Sequence, residues 1–526
     1  MRRQTTAVMV ASTALLAACS QGDQDGGAAG EPTASASPRA CAELAALPLA
    51  NTTVTAAESV AAGAFQSPAP EFPGFAVDYT KLPAFCRVMG SIKPSADSDI
   101  GFEVWLPDEN WNGKFMQTGN GGAAGAIVYG SLADGLARGY AVANTDTGHR
   151  GEGGDFSWAA GHPEKLTDYA YRAVHELTIV GKAVTTARYG QEPARSYWNG
   201  CSTGGRQGLK EAQRFPEDYD AIIAGAPASN WSALMSLSIS IQRNLNGADG
   251  LGVDKLGVLK EAAIAACDAG DGVLDRVIGA PATCTFDPAS TQCAAGKTES
   301  CLSATEVAAA KRIYGGLVDG AGSAVFPGTG PGSEPLWAAY GSQQFAIGTN
   351  YFRNVVAGDQ TWDPATFDAV ADLARAEAQD GGAAKAMDAD LSRFVARGGK
   401  LLTYHGTTDG LIPYGNSVNY YESVAAALGR EKTDDSVGLY LVPGMDHCSG
   451  GEGAFAVDWV GALEQWDATG AKPASLAANH PPIPIGPPGT PPSKPFTRLV
   501  CAYPQVARYK GEGDNAPAAN WECVAQ

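Results

Sequence analysis

The sequence predicts an α/β protein, a mostly parallel sheet flanked by helices and interrupted by one long insertion. Between about residue 76 and residue 227, short apolar runs alternate with stretches of helical spacing, the pattern of strands joined by crossover helices. The alternation stops after Gly225-Ala226-Pro227 and resumes at Leu391, so one sheet is built from two separated pieces of chain. Near the end of the first piece stands Gly200-Cys201-Ser202-Thr203-Gly204, a glycine-flanked serine between an apolar run and a helix.

The chain of 526 residues is long enough for roughly two to four structural units and a large core. With 44% hydrophobic and 18% charged residues it has the composition of a globular protein. A net charge of -19 excludes a nucleic-acid partner, because phosphate binding needs a basic surface, and reads as solubility. Met1-Arg2-Arg3 and the apolar or small run Ala7 to Ala18 predict an export signal over residues 1–19. That run is shorter than the roughly 20 residues of a membrane span. Leu16-Ala17-Ala18-Cys19 resembles a bacterial lipobox, which implies cleavage before Cys19 and lipid on its thiol; ordinary signal cleavage nearby is the alternative. Residues 20–40 are rich in Gly, Ala, Ser and acids and read as a tether. Export to an oxidising compartment predicts disulfides among the remaining ten cysteines, Cys41, Cys86, Cys201, Cys267, Cys284, Cys293, Cys301, Cys448, Cys501 and Cys523. Counting leaves their connectivity open.

Along the chain, Ile100 to Leu106 and Lys114 to Gln117 read as strands around an Asn110-Trp111-Asn112-Gly113 turn. Leu132 to Arg138 reads as a helix and Tyr140 to Asn144 as the next strand. Leu166 to Tyr189 has helical spacing and leads into the strand Ser196-Tyr197-Trp198, followed by a helix from Gly208 to Phe215 and a strand from Tyr219 to Ala224. Residues 228–388 hold helical segments such as Val258 to Cys267 and Ala304 to Tyr314 among glycine- and proline-rich stretches, and read as an inserted domain of the kind that forms a lid. The sheet pattern then resumes at Leu391 to Ala396, followed by a strand at Lys400 to Tyr404, a helix around Val418 to Leu428 and a strand at Gly438 to Val442. Pro481 to Pro495 is a proline-rich connector, and Phe496 to Gln526 a short tail. The organisation is therefore 41–227 and 389–526 as two parts of one core, with 228–388 between them.

In an α/β-hydrolase, G-x-S-x-G is a nucleophile elbow, a strained strand-to-helix turn that lifts the serine above the sheet edge. The chain order of that fold is Ser, then Asp or Glu, then His. Asp409 follows one predicted strand in His405-Gly406-Thr407-Thr408-Asp409, and His447 follows the next in Pro443-Gly444-Met445-Asp446-His447-Cys448. Ser202 as nucleophile, His447 as base and Asp409 as orienting acid is the expected constellation. Asp446 is the competing acid and His405 the fallback base. Transition-state charge needs two donors: the Thr203 N–H and an N–H from Gly121 or Gly122 in the Gly119-Asn120-Gly121-Gly122 loop. Cys201 and Cys448 each adjoin a proposed catalytic residue, so a Ser202–His447 hydrogen bond would bring them within disulfide reach.

Cys201-Ser202, Asp409 and His447-Cys448 resemble the CS-D-HC signature of the tannase and feruloyl esterase family, which includes a bacterial mono(2-hydroxyethyl) terephthalate hydrolase. The resemblance runs from about Cys41 to Cys523 and extends to Gly119-Asn120-Gly121-Gly122, Thr145-Asp146-Thr147-Gly148-His149, Gly200 to Gly208 and Tyr503-Pro504-Gln505-Val506-Ala507-Arg508-Tyr509. It implies an α/β-hydrolase fold with a large inserted lid domain. It implies five disulfides: Cys41–Cys86, Cys201–Cys448, Cys267–Cys284, Cys293–Cys301 and Cys501–Cys523. It also implies a structural Ca2+ site in the lid, which the carboxylates of Asp268, Asp271 and Asp275 and the carbonyls of Val273 and Val277 fit as a hard oxygen shell. The loop is no EF-hand, since the twelfth position from Asp268 is Gly279.

The resemblance further implies a carboxylic ester hydrolase whose partner is a small aromatic ester, feruloyl, galloyl or related, with the N-terminal lipid as the one membrane contact. The terephthalate-ester hydrolase carries a glutamate after its serine where this chain has Thr203, which favours a feruloyl or galloyl ester. Tyr351, Phe352 and Arg353 are lid candidates for aromatic stacking and carboxylate pairing, with a place in the lid core as the alternative for Tyr351 and Phe352. A non-catalytic lipoprotein that binds phenolic ligands is the opposing reading.

Overall fold

The computed structural model describes residues 37–68, 77–342, 345–380, 382–483 and 493–525. The expected signal with Cys19, the tether as far as residue 36 and residues 484–492 of the connector lie outside the described residues. Among the described residues, one sheet contains β1 (Thr52–Val60), β2 (Phe85–Ile92), β3 (Ile100–Pro107), β4 (Lys114–Thr118), β5 (Ala141–Thr145), β6 (Arg195–Cys201) and β7 (Ala221–Gly225). Beyond the insertion, which carries a small hairpin of β8 (Leu317–Val318) and β9 (Ala324–Phe326), it adds β10 (Lys400–Gly406) and β11 (Val437–Val442). The order is β1-β2-β3-β5-β4-β6-β7-β10-β11. Pairing is antiparallel through β1, β2, β3 and β5, and parallel from β5 to β11. This is the α/β-hydrolase fold.

The helices are α1 (Tyr129–Ala137), α2 (Pro163–Thr167), α3 (Ala173–Tyr189) and α4 (Thr203–Arg214) before the insertion. Within it run α5 (Trp231–Asn246), α6 (Leu256–Cys267), α7 (Ala304–Gly315), α8 (Glu334–Gly341), α9 (Ile347–Tyr351) and α10 (Ala369–Asp380), and after it α11 (Ser392–Ala396), α12 (Gly415–Leu428), α13 (Arg430–Ser436) and α14 (Trp459–Thr469). Side chains alternate across a strand, so each face of the sheet needs its own cover. Ala141 and Ala143 of β5 pack with Leu177, Leu209 and Val424 from α3, α4 and α12. Val142, between them, packs with Leu132 and Leu463 from α1 and α14 on the other face. Strands buried on both faces read as unbroken apolar runs, and every residue of β7 is buried.

β7 and β10 are hydrogen-bonded neighbours although residues 226–399 separate them in sequence. The insertion packs Leu237, Leu259, Trp337, Tyr351 and Phe352 into a cluster that also takes Ala123 and Phe156 from the loops after β4 and β5, and Tyr169 from the helical turn between α2 and α3.

Two predicted helices differ from the observed ones. Leu166 to Tyr189 is broken by a π-helical turn over Asp168–Arg172, between α2 and α3. That turn frees carbonyls of the normal ladder, and the fully buried Arg206 of α4 takes those of Tyr169 and Ala170. The helix expected from Gly208 starts at Thr203, because the glycines that disfavour a helix on propensity are needed there for close packing. β1, β2, α14 and the C-terminal strands β12 (Ser475–His480), β13 (Phe496–Cys501), β14 (Gln505–Tyr509) and β15 (Trp521–Ala525) were not expected individually. All five expected disulfides are formed.

Candidate active site

Ser202 closes the turn from β6 into α4 with φ 63° and ψ −122°, a conformation costly for a residue with a Cβ and held by its surroundings. Two glycines make that turn sterically feasible. A Cβ on Gly200 would lie 2.6 Å from the Gly204 carbonyl oxygen, and one on Gly205 would lie 2.3 Å from that of Gly225. The Ser202 N–H is fixed by the Gly225 carbonyl at 2.9 Å.

Asp409 lies just past β10 and is fully buried. One oxygen, Oδ1, accepts the N–H groups of Leu411 and Ile412, both at 2.9 Å. The other, Oδ2, accepts Nδ1–H of His447 at 2.7 Å. Burial works to raise this carboxyl, but the His447 charge and the hydrogen bonds of both histidines outweigh it and hold Asp409 well below the carboxylate range. For His447 burial works downward, and the charge and hydrogen bond of Asp409, with the charge of Asp446, more than reverse it, so its pKa stands above the ordinary histidine value. With Nδ1 carrying the hydrogen for Asp409, Nε2 of the neutral ring holds the lone pair. Ser202 and His447 line one narrow cavity of about 30 Å³ together with Gly122, Thr203, Trp231, Leu234 and Tyr340. The Cys201–Cys448 bridge, with its Cα atoms 6.0 Å apart, ties the serine turn to the histidine loop.

The Gly121, Gly122 and Thr203 N–H groups have no acceptor among the described residues; Gly122 and Thr203 line the cavity, whereas Gly121 does not. The loop that presents Gly122 is held from several sides. The Thr203 hydroxyl and the Tyr169 phenol donate to the Gly122 carbonyl at 2.6 and 3.0 Å. Gln207 of α4 bonds Asn120 twice, accepting its N–H and donating to its side-chain oxygen, each at 3.1 Å. The His149 ring, stacked on Trp158, donates Nε2–H to the Ala123 carbonyl at 2.8 Å. Burial pushes His149 down to about 4, which keeps the ring neutral. Asp146 accepts the N–H groups of Gly101 and Gly148, and burial lifts its carboxyl to about 7. Gln207, Thr203 Oγ1 and His149 were not expected in these roles, because only the fold brings them to the loop.

His405, the fallback base, is fully buried away from the cavity and is not available as one. Its Nε2 faces two acceptors, the Ile412 carbonyl at 2.8 Å and Asp409 Oδ2 at 3.2 Å, while Nδ1 accepts from Ser417 Oγ at 2.7 Å. It helps to hold Asp409. The competing acid, Asp446, accepts from the Thr408 hydroxyl at 3.0 Å rather than from His447. Tyr351 and Phe352 are fully buried in the core of the insertion, the alternative expected for them. Arg353 lines a separate cavity of about 920 Å³ and donates Nε–H to the Trp362 carbonyl, so it does not face Ser202.

In the 268–277 loop, Asp268 and Asp271 are 7% and 5% exposed and neither pairs with a cationic side chain among the described residues. Burial and the charges of Asp275 and Asp268 push the Asp271 carboxyl up to about 6. Asp275 is paired with Arg498 of β13.

A family model described as tannase and feruloyl esterase matches residues 86–524. The chain belongs to the tannase and feruloyl esterase family. It is 36% identical to a protein described as an uncharacterized esterase of Xanthomonas campestris, over 94% of this chain and 92% of that protein. It is also 36% identical to a probable feruloyl esterase B-2 of Aspergillus terreus, over 84% of this chain and 86% of the relative. The crystal structure of feruloyl esterase B from Aspergillus oryzae superposes with a TM-score of 0.82 at 31% identity, covering 92% of this chain and 99% of that one. The protein is thus a carboxylic ester hydrolase of the tannase and feruloyl esterase type. The cavity beside Ser202 is where this esterase has its strained serine, its paired histidine and its uncommitted N–H groups together.

Proposed function

We propose that the esterase hydrolyses esters of phenolic acids, feruloyl or galloyl, through an acyl-enzyme on Ser202. The carrying observation is the Asp409–His447 hydrogen bond of 2.7 Å beside a strained Ser202 in one cavity. Ser202 Oγ attacks the ester carbonyl as His447 Nε2 takes its proton. The proton then passes to the departing alkoxide, and water repeats the sequence to release the acid. Asp409 holds the His447 tautomer and stabilises the imidazolium. The Thr203 and Gly122 N–H groups bind the oxyanion; both line the cavity without another acceptor, which favours Gly122 over Gly121.

The aromatic acyl group is supported by the cavity wall, where Trp231, Tyr340 and Phe345 stand with Leu234 and Met235. Among the described residues no Lys or Arg lines that cavity, and Arg353 lies in the other one, so a terephthalate monoester would find no charged partner among them. A panel of methyl ferulate, methyl gallate and mono(2-hydroxyethyl) terephthalate, run on the parent and on Ser202→Ala, tests the reading. Hydrolysis of the first two that vanishes in the variant supports it; hydrolysis that survives Ser202→Ala refutes the nucleophile, and no hydrolysis by the parent favours a phenolic-binding lipoprotein.

The residues of the 268–277 loop fit a calcium ion by chemistry: two buried, cation-free carboxylates and a third shared with Arg498. Asp268, Asp271 and Asp275 with the Val273 and Val277 carbonyls would hold it. Bound there, the ion would neutralise the loop and brace the Cys267–Cys284 bridge against β13. The five disulfides support an exported protein, and no helix among the described residues is long and apolar enough to cross a membrane. Lipid attachment at Cys19 completes the proposal, with a periplasmic or outer-membrane address.

A further inference from the structure

His175 of α3, Glu211 of α4 and Asp218 in the turn before β7 converge on one point beneath the face covered by α3 and α4. Their ligating atoms all lie within 4.8 Å of one another, the one such trio of His, Cys, Asp or Glu among the described residues; the 268–275 carboxylates do not converge so closely. His175 Nδ1 stands 2.6 Å from Asp218 Oδ2, its ring fixed by stacking on Phe215 at 3.8 Å between centroids. Glu211 is 1% exposed, and neither of its oxygens has a hydrogen-bond donor among the described residues. The group it faces besides His175 is the Asp218 carboxylate, which has no proton to give while both acids are ionised. The nearby cation, Lys182, spends its ammonium on the Asp218 main-chain carbonyl. A buried carboxylate with no donor is unstable in that state, and either a proton or a metal ion must relieve it.

We propose that His175, Glu211 and Asp218 bind a divalent transition-metal ion of the zinc class. One imidazole and two carboxylates on three separate elements form the N/O donor set such ions take, and they are too few oxygens for calcium. His175 and Asp218 side chains are 27% and 13% exposed, so an ion can enter and keep a water from the solvent side. The site is structural: it joins α3 to the C-terminal half of α4, the helix whose first residue follows Ser202.

The rival to the metal is a proton shared by Glu211 and Asp218. Burial and the Asp218 charge push the Glu211 carboxyl well above its ordinary value, which a proton would also answer. Glu211→Gln separates the two, since the amide imitates a protonated acid and ligates metal poorly. Full-length protein stripped with dipicolinate is titrated with zinc chloride by calorimetry and with cobalt chloride by visible absorption. The parent and Asp271→Asn, which leaves this site intact, are expected to bind one equivalent and to melt higher with zinc. Glu211→Gln and the more exposed His175→Asn, each removing a ligand, are expected to bind at least about 10–100-fold more weakly, the loss that removal of an outer-shell partner alone brings, and to lose the thermal response. Absence of zinc binding by the stripped parent overturns the proposal, as does binding by both variants equal to the parent's. So does a Glu211→Gln protein that melts above the parent at every zinc concentration. Ester hydrolysis by Glu211→Gln without metal is expected to remain, so failure here leaves the Ser202 reading untouched.

Discussion

Replacing Cys201 and Cys448 together by alanine tests how far the site depends on being stapled. The bridge spans 247 residues. For a loop of that length the chain-entropy relation gives about 18–19 cal/mol/K, or about 5.5 kcal/mol at 25 °C, lost from the denatured chain when it is cross-linked. The Cys267–Cys284 and Cys293–Cys301 bridges short-cut 17 and 8 residues of that loop, which changes the logarithm little. A chain of 526 residues melts with an entropy of about 1.1 kcal/mol/K, so the loss corresponds to a fall in Tm of about 5 °C. Function is expected to suffer more than stability. The bridge joins the residue before Ser202 to the residue after His447, and a displacement of about 1 Å between nucleophile and base costs on the order of 100-fold in rate. The assay is kcat and KM on methyl ferulate beside scanning calorimetry, with thiols counted in the parent. A drop in Tm with kcat unchanged would refute the coupling of bridge to chemistry. Both unchanged, with two free thiols in the denatured parent, would refute the bridge.

Asp409→Asn is expected to lower kcat/KM about 10³–10⁴-fold, because the amide favours the wrong His447 tautomer. His447 must be neutral to act as base, so activity falls as pH drops through its pKa. In the parent this acid limb is expected above about 6.5, the ordinary histidine value, and in Asp409→Asn below the parent's limb; an unmoved limb would exclude His447 as the titrating base. Gly205→Ala would place a Cβ 2.3 Å from the Gly225 carbonyl oxygen and 2.9 Å from Pro227 Cα, both backbone, and is expected to cost about 1–3 kcal/mol and to depress kcat. Gly257→Ala in α6 meets nothing within 4 Å, and is expected to be neutral or stabilising by up to about 1 kcal/mol. Chelator, or Asp271→Asn, is expected to lower Tm while kcat at 25 °C is retained, and metal analysis should find calcium in the parent alone; an unchanged Tm and no calcium would remove the ion.

The sheet from β3 to β7 and its continuation at β10 and β11 were legible because strands buried on both faces announce themselves as apolar runs. β1 has the burial pattern of an edge, with exposed residues through its length, and such a strand looks like loop in sequence. The C-terminal hairpins are short: β14 and β15 pack with Val273 beside a disulfide, and β12 and β13 add only Ala478 and Val500 to the core over the sheet, so periodicity had little to register. That Ser202, Asp409 and His447 come together was legible because the fold sets their chain order and their places at strand ends. Tyr351 and Phe352 could be read two ways, since an aromatic pair in an insertion fills a core as well as it lines a cleft, and burial alone separates the two.

What sequence could not supply is the scaffold of the Gly119-Asn120-Gly121-Gly122 loop, the proposed oxyanion site. Gly122 offers its N–H with φ +52°, and a Cβ there would meet the Gly153 carbonyl oxygen at 2.2 Å, so the loop is shaped by the backbone of the turn at Gly153. Its carbonyl is taken by Thr203 from the serine helix, Asn120 is held by Gln207 one turn further along that helix, and Ala123 is held by His149. Donors aimed in advance act without reorganising when charge develops, and in the proposed mechanism the helix that starts after Ser202 also sets the aim. Thr203→Val is the sharpest probe of that coupling: it keeps the backbone N–H and the side-chain volume but removes the bond to Gly122. If the hydroxyl aims the loop, kcat falls about tenfold or more while KM for methyl ferulate changes little, because the loss is felt where the oxyanion forms. A rise in KM at constant kcat would instead make Thr203 a wall of the substrate cavity and leave the loop to Tyr169, Gln207 and His149.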